Sequence, residues 1–231
     1  MRHALLVLAL ALSAPFAVAQ SETQLTARVG VDGNAVDGIQ DWQDAERAGF
    51  NAGGVPLAET DAFPSFLGLQ AEATRRVGPV RLGAHVGFGS TSGRLHYADY
   101  SGVAQADRRA RRTFAGATAE VPLSPASGLV SVWATLRARL SLVRVDVARS
   151  ITIGDQPPRP LEQRYGAAPY SVEPGLAVET MLGSAVVRAE AGWEHSWAAP
   201  FGTYAQPFPT DANAETGWGG YRVGLAVGTR L

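Results

Sequence analysis

The chain has 231 residues, a formal net charge of −1, and no cysteine or lysine, so all 20 of its basic residues are arginine. Without cysteine there are no disulfides, no thiolate catalysis and no cysteine-ligated metal. A balanced charge gives no general pull on nucleic acid. Only four histidines are present, and His3 lies in the first segment.

Residues 1–19 read as a secretory signal. Arg2 supplies the positive start, Ala4 to Ala14 is apolar, and Ala17-Val18-Ala19 is a small-x-small cleavage site. The apolar run is too short to span a membrane as a helix. No later stretch approaches that length, and no cysteine follows the cleavage site to carry a lipid anchor. The mature chain is expected to begin at Gln20 and to be exported.

After the signal, apolar residues alternate with glycine and charge. Leu25, Ala27, Val29 and Val31 alternate with Thr26, Arg28, Gly30 and Asp32. Near the C-terminus Tyr221, Val223, Leu225, Val227, Thr229 and Leu231 alternate with Arg222, Gly224, Ala226, Gly228 and Arg230. A period of two means β-strands with two unlike faces. Eight such segments fall near residues 24–33, 64–75, 79–90, 112–122, 129–143, 171–181, 185–197 and 218–231. Three connections are tight, at Arg76 to Gly78, Leu123 to Gly128 and Leu182 to Ser184. The other four, near 34–63, 91–111, 144–170 and 198–217, are long. Alternating short and long connections are what antiparallel strands give when every long loop leaves from one end, as in transmembrane barrels.

The fifth segment carries one irregularity. Val130, Val132, Ala134, Leu136, Ala138, Leu140 and Leu142 share one face, after which Val143, Val145 and Val147 take the other parity. A bulge, or a strand continuing beyond the membrane as a hairpin, accounts for that slip.

A soluble lipocalin-like barrel would show the same alternation with its faces exchanged. Glycine discriminates between the two. Gly30, Gly68, Gly83, Gly87, Gly116, Gly175, Gly192, Gly224 and Gly228 all share the charged face. Glycine weakens a strand and needs a reason to recur there. An eight-stranded barrel is only wide enough for side chains to fill, so long charged residues need very small neighbours inside. The same face balances Arg28, Arg81, Arg137, Arg139, Arg188, Arg222 and Arg230 against Asp32, Glu72, Glu120, Glu173, Glu179, Glu190 and Glu194. Equal numbers suit an interior ionic network, since a buried unpaired charge is costly. The opposite face is Leu, Val and Ala, with Phe88, Trp193, Trp197 and Tyr221 near strand ends, where a membrane interface favours amphipathic rings.

On these features the chain resembles the small eight-stranded outer-membrane barrels, the OmpA/OmpX-like group, from Gln20 to Leu231. The resemblance implies an all-β fold, an eight-stranded antiparallel up-and-down transmembrane β-barrel, in a bacterial outer membrane. Members of this group end on an aromatic residue used in assembly; this chain keeps Tyr221 in its last strand but ends on Leu231.

Some barrels of this kind act on lipid A with a serine and a histidine, which directs attention to Glu194-His195-Ser196. Adjacent strand residues face opposite ways, so His195 would face lipid while Ser196 and Glu194 face inward, and a nucleophile must reach its base. His85 points inward beside Arg81, with no second histidine to complete a metal site. Arg108, Arg109, Arg111 and Arg112 form the densest charge cluster, before the fourth strand on the long-loop side. Guanidinium groups bind phosphate bidentately, so an anionic lipid contact there competes with a solvated loop base neutralised by Asp99 and Asp107. Long loops carry aromatics at Trp42, Phe50, Tyr97, Tyr100, Tyr165 and Tyr204, available for binding or for loop packing.

The expected function is non-enzymatic: a monomeric structural or surface-binding scaffold acting through four outer loops, with outer-membrane lipids including lipopolysaccharide as partners and no cofactor. A small passive polar channel, a lipid A-modifying enzyme and a secreted lipocalin-like carrier are the alternatives.

Overall fold

The alternation becomes eight strands that close on themselves. In the computed structural model the described residues are 22–33, 37–61, 65–99, 101–124, 129–153, 156–197, 199–200, 202–203, 215–216 and 219–231. The signal segment, the cleavage site, Tyr100 and Tyr204 lie outside them.

The closed ring runs through β1 (Thr23–Asp32), β3 (Phe66–Val77), β4 (Val80–Asp99), β5 (Gly102–Pro122), β6 (Val130–Ile153), β8 (Tyr170–Leu182), β9 (Ala185–Trp197) and β13 (Gly220–Arg230). Every neighbouring pair is antiparallel, and β13 returns to β1 to complete the circle. At two short hairpins the turn needs a left-handed residue, which glycine adopts without a steric penalty: Gly78 (φ 62°) and Gly183 (φ 67°). Between the ring strands come a helix, α1 (Asp37–Ala52), the short strands β2 (Ala58–Asp61), β10 (Ala199–Pro200), β11 (Gly202–Thr203) and β12 (Glu215–Thr216), and β7 (Arg159–Ala167).

Inside and outside are sharply different. Arg28, Glu72, Arg137, Glu173 and Arg222 are buried, while Leu67, Val86, Leu136, Leu176 and Leu225 are each more than half exposed. A soluble barrel would hold those apolar side chains within. This surface is stable only in hydrocarbon, so the lipocalin-like arrangement is not the one built.

Two glycines show how the interior is filled. A side chain at Gly224 would overlap the Arg28 guanidinium, and one at Gly87 would overlap the Phe114 ring. The smallest residue is the space in which a large neighbour lies.

Strand length divides the molecule in two. A membrane strand needs about 9–11 residues. The 10 to 13 residues of β1, β3, β8, β9 and β13 meet that need, whereas β4, β5 and β6 have 20, 21 and 24. Their surplus stands beyond the apolar belt, at the end opposite the termini, as a head.

Three of the four long connections therefore differ from the sequence reading. Residues 91–111 are mostly the upper halves of β4 and β5. Residues 144–170 are the top of β6 plus β7, and 34–63 hold α1 and β2. Register between β5 and β6 runs unbroken from Gly102↔Ile153 to Pro122↔Trp133, so the irregularity at Val143 is no bulge. Odd-numbered residues of β6 keep facing inward, but what they meet changes from charge to hydrocarbon.

Within the head, the sheet β7-β6-β5-β4-β2 curves around α1. Ile39 and half-buried Trp42 pack with Phe66, Ala110, Val143, Val145, Val147 and Tyr165. Further along α1, Phe50 joins Leu57, Leu95, Ala104 and Ala106. Trp42 meets Tyr165 edge-on at 5.1 Å between ring centroids.

Candidate functional site

Three places concentrate polar chemistry: the barrel interior, the underside of α1, and the outer wall of the head. Arg28, Glu72, Arg81, Glu120, Arg137, Arg139, Glu179, Arg188, Glu190 and Arg222 all lie buried in the interior. Asp32, Glu173, Glu194 and Arg112 join them.

The interior charges form one connected network. Asp32 accepts from Arg222 at 2.6 Å, and Arg222 also reaches Glu173 at 3.0 Å and Glu194 at 3.3 Å. Arg139 pairs with Glu173, and Arg112 pairs with Glu194. Arg137 is the hub, touching Glu72 at 3.0 Å, Glu173 at 3.3 Å and Glu190 at 2.9 Å. Arg188 bridges Glu190 and Glu120, and Arg81 forks onto Glu179 at 2.8 and 2.9 Å. Arg28 lies 3.3 Å from Glu190. Near the termini Arg230 links Glu179 at 3.5 Å to Glu22 at 2.6 Å. Pairing of this kind is what lets charges be buried: most of them have more than one partner, and Arg28 and Asp32 each have one.

His85 is part of this filling. Its Nδ1 lies 2.9 Å from the Thr118 hydroxyl, and its ring meets Phe114 edge-on. His195 faces outward against the Trp197 ring, while Ser196 lies on the other face of β9 opposite Ser171. The strand thus separates the hydroxyl from the imidazole. Tyr170 stacks on Trp197 at 4.8 Å, and with Trp193, Phe88 and Tyr221 these rings stand on the outer wall near the head.

The four clustered arginines do not share a surface. Expected in a loop before the fourth strand, they stand within β5, where alternation divides them. Arg112 points into the barrel. Arg108 points under α1, pairing with Glu46, donating to Gln43 at 3.1 Å and lying 4.8 Å over Trp42. Burial, with the like charge of Arg149 behind it, pushes the Arg108 guanidinium down to about 10, so it stays charged at neutral pH. Arg149 shares Glu46 and donates to Gln163 at 2.5 Å. At the head's tip, the Ser101 and Tyr97 hydroxyls hold the Asp99 carboxyl down at about 2.

Arg109 and Arg111 point outward and meet residues that the sequence reading does not single out. Arg111 is the register partner of Arg144; Arg109 stands opposite Asp146, which stands opposite Arg164. Asp146 accepts from Arg144 at 2.9 Å and Arg164 at 3.0 Å, with Arg111 at 4.0 Å. One row further up, Arg94 pairs with Asp107 at 2.5 Å. These residues line an external groove of about 650 Å³. The signal is present in the sequence: Arg144 and Asp146 alternate with Val143, Val145 and Val147, a strand whose apolar face has turned inward.

No protein-family model and no curated protein matches the chain. Among solved structures it is similar to Neisserial surface protein A of Neisseria, at 11% identity and a TM-score of 0.40, covering 92% of this chain and 98% of that one. It is also similar to a major outer membrane protein from Thermus thermophilus, at 10% identity and a TM-score of 0.50, covering 90% and 99%. A third is Ail, the attachment invasion locus protein of Yersinia pestis, at 9% identity and a TM-score of 0.34, covering 91% and 97%. At these identities the likeness is one of fold. With its ring closed and its apolar face outward, the chain is an eight-stranded antiparallel up-and-down transmembrane β-barrel.

Proposed function

We propose that this chain is a non-enzymatic protein of the bacterial outer membrane, in which a sealed barrel anchors a folded extracellular head. The head's outer surface and loops are then the binding region, the barrel stands as a monomer in envelope lipid, and lipopolysaccharide is its immediate neighbour.

The observation that carries this reading is the interior network. From Glu22 at the terminal end to Asp32 and Arg112 at the other, the charges along the axis are paired, some with the neighbouring strand, as Arg222 with Asp32, and others across the lumen, as Arg112 with Glu194. Above it, α1 lies within the sheet of the head, with Ile39 and Gln43 buried. A lumen filled with paired side chains in this way favours a closed scaffold over an open pore. The orientation follows from the termini, which share the short-turn end, where an exported chain leaves them on the periplasmic side.

The test is conductance together with fractionation. The mature protein is expected in the outer-membrane fraction, migrating differently on a denaturing gel when unheated and when boiled, and silent in planar bilayers. Discrete conductance steps in the unmodified protein would favour a channel. Change in envelope-lipid acylation that is abolished by Ser196→Ala would favour an enzyme.

A further inference from the structure

The outward face of the barrel wall changes character abruptly where the head begins. Phe88, Thr113 and Leu142 are register partners and form the last row of the apolar belt. The next row is Ser90, Arg111 and Arg144, and the row above it is Ser92, Arg109, Asp146 and Arg164. Two rows therefore hold four guanidinium groups and one carboxylate.

That arrangement is unfavourable unless something supplies negative charge. Like charges directly opposite on neighbouring strands destabilise a sheet, and Arg111 and Arg144 are directly opposite. Asp146 is shared among Arg144, Arg164 and Arg111, and Arg109 has no ion-pair partner among the described residues. In the row beyond, Arg94 is answered by Asp107, and exposed Glu162 stands opposite Ala148, so that row holds two acids and one arginine. The excess positive charge is thus confined to the rows nearest the apolar belt. Each of these arginines is exposed or partly exposed on the outer wall, with Asp146 engaging the Nε of Arg144 and of Arg164.

We infer that Arg109, Arg111, Arg144 and Arg164 bind the phosphate of an outer-leaflet glycolipid headgroup, with the lipid's chains lying against Phe88 and Leu142. The assignment rests on the head being extracellular. A lipid is the source that fits, because the site opens sideways at the edge of the hydrocarbon belt and not at the tip. Arginine suits the task, as its planar fork meets two phosphate oxygens at once. A groove of about 650 Å³ has room for a phosphorylated sugar. Adjacent, the stacked rings of Tyr170 and Trp197 stand where a membrane interface holds aromatics.

The test uses the full mature barrel in detergent micelles, with a diphosphorylated lipid A and its dephosphorylated form as probes, read by native mass spectrometry. The wild type is expected to retain the phosphorylated form preferentially. Arg111→Gln/Arg144→Gln should weaken that retention by about tenfold or more, since each lost charged hydrogen bond is a large part of such a contact. Arg76→Gln, at the opposite end of the barrel, should leave it unchanged. The heat-dependent gel shift must persist in every variant, which shows that the barrel is intact. Equal retention of both lipid forms, or of the phosphorylated form by wild type and the double variant, overturns the assignment while leaving the barrel reading in place. Displacement of the lipid by inorganic phosphate at comparable concentration, or tighter binding of a soluble sulfated polysaccharide, overturns the lipid source. A protein that stays soluble without detergent and shows no gel shift overturns both readings together.

Discussion

The barrel and its head are built from the same strands under opposite rules. Below the boundary, β6 turns Arg137 and Arg139 inward and Leu136 and Leu140 outward. Above it, the same strand turns Val143, Val145 and Val147 inward and Arg144 and Asp146 outward. Neither the parity nor the pairing changes across the boundary. Only the medium does: outside is lipid below and water above, and the inner face follows. Strand geometry fixes which residues share a face, and solvent decides what that face must be.

The largest effect is expected from breaking the lower region's network at its hub. Arg137→Ala leaves buried Glu72 without its ion-pair partner, while Glu173 keeps Arg139 and Arg222 and Glu190 keeps Arg188 and Arg28. Removing one partner of a buried ionic cluster costs about 3–5 kcal/mol. Urea unfolding in lipid vesicles should show that loss, and a midpoint unchanged from wild type would mean that water already solvates the lumen.

The next effect tests the inversion directly, by placing one side chain at three positions of β6. Leu136→Arg puts a charge on the lipid face near the belt's middle and should cost about 2–4 kcal/mol. Val145→Arg forces the same charge into the head's apolar cluster, at a cost of about 2–5 kcal/mol. Ala148→Arg, on the head's outer wall, should stay within about 0.5 kcal/mol of wild type. Equal tolerance at 136 and 148 would remove the boundary between them.

How much of this is legible in the sequence depends on the same boundary. Where lipid is outside, the alternation from Leu25 to Val31 or from Tyr221 to Leu231 locates strands and faces within a few residues. The upper halves of β4, β5 and β6 are obscured because one rule, apolar outward, does not hold in both media. Under that rule Val143 looks like a slip and Arg108 to Arg112 like a loop. Helix α1 is hidden for another reason. Its inward stripe of Ile39, Trp42, Gln43, Glu46 and Phe50 mixes apolar and polar residues, since it covers Arg108 and Arg149 as well as valines.

A smaller effect follows from that mixed stripe. Trp42→Ala removes the edge contact with Tyr165 and the Arg108 cation contact. A loss of about 1–3 kcal/mol is expected, confined to the head. Hydrogen exchange should speed up in α1 and not in β8 or β9. Uniform acceleration would mean that barrel and head open together and are not separable units.

The smallest effect concerns Asp146, the one acid among four outward arginines. Its partial burial works to raise the carboxyl, but hydrogen bonds from Arg144 and Arg164 outweigh it and hold the group below its ordinary value. A depressed carboxyl stabilises the fold fully above its unfolded pKa, and that contribution is lost as pH falls through the folded value. For partly exposed pairs it amounts to less than about 1 kcal/mol. Asp146→Asn should therefore lower head stability slightly at neutral pH and flatten its decline in acid. It should also act in the opposite sense on lipid, because the carboxylate occupies the donors that a phosphate would use. Tighter retention of phosphorylated lipid by a slightly less stable head would show that the arginines are arranged for a ligand and not for Asp146. Weaker retention would make the carboxylate part of the site's geometry.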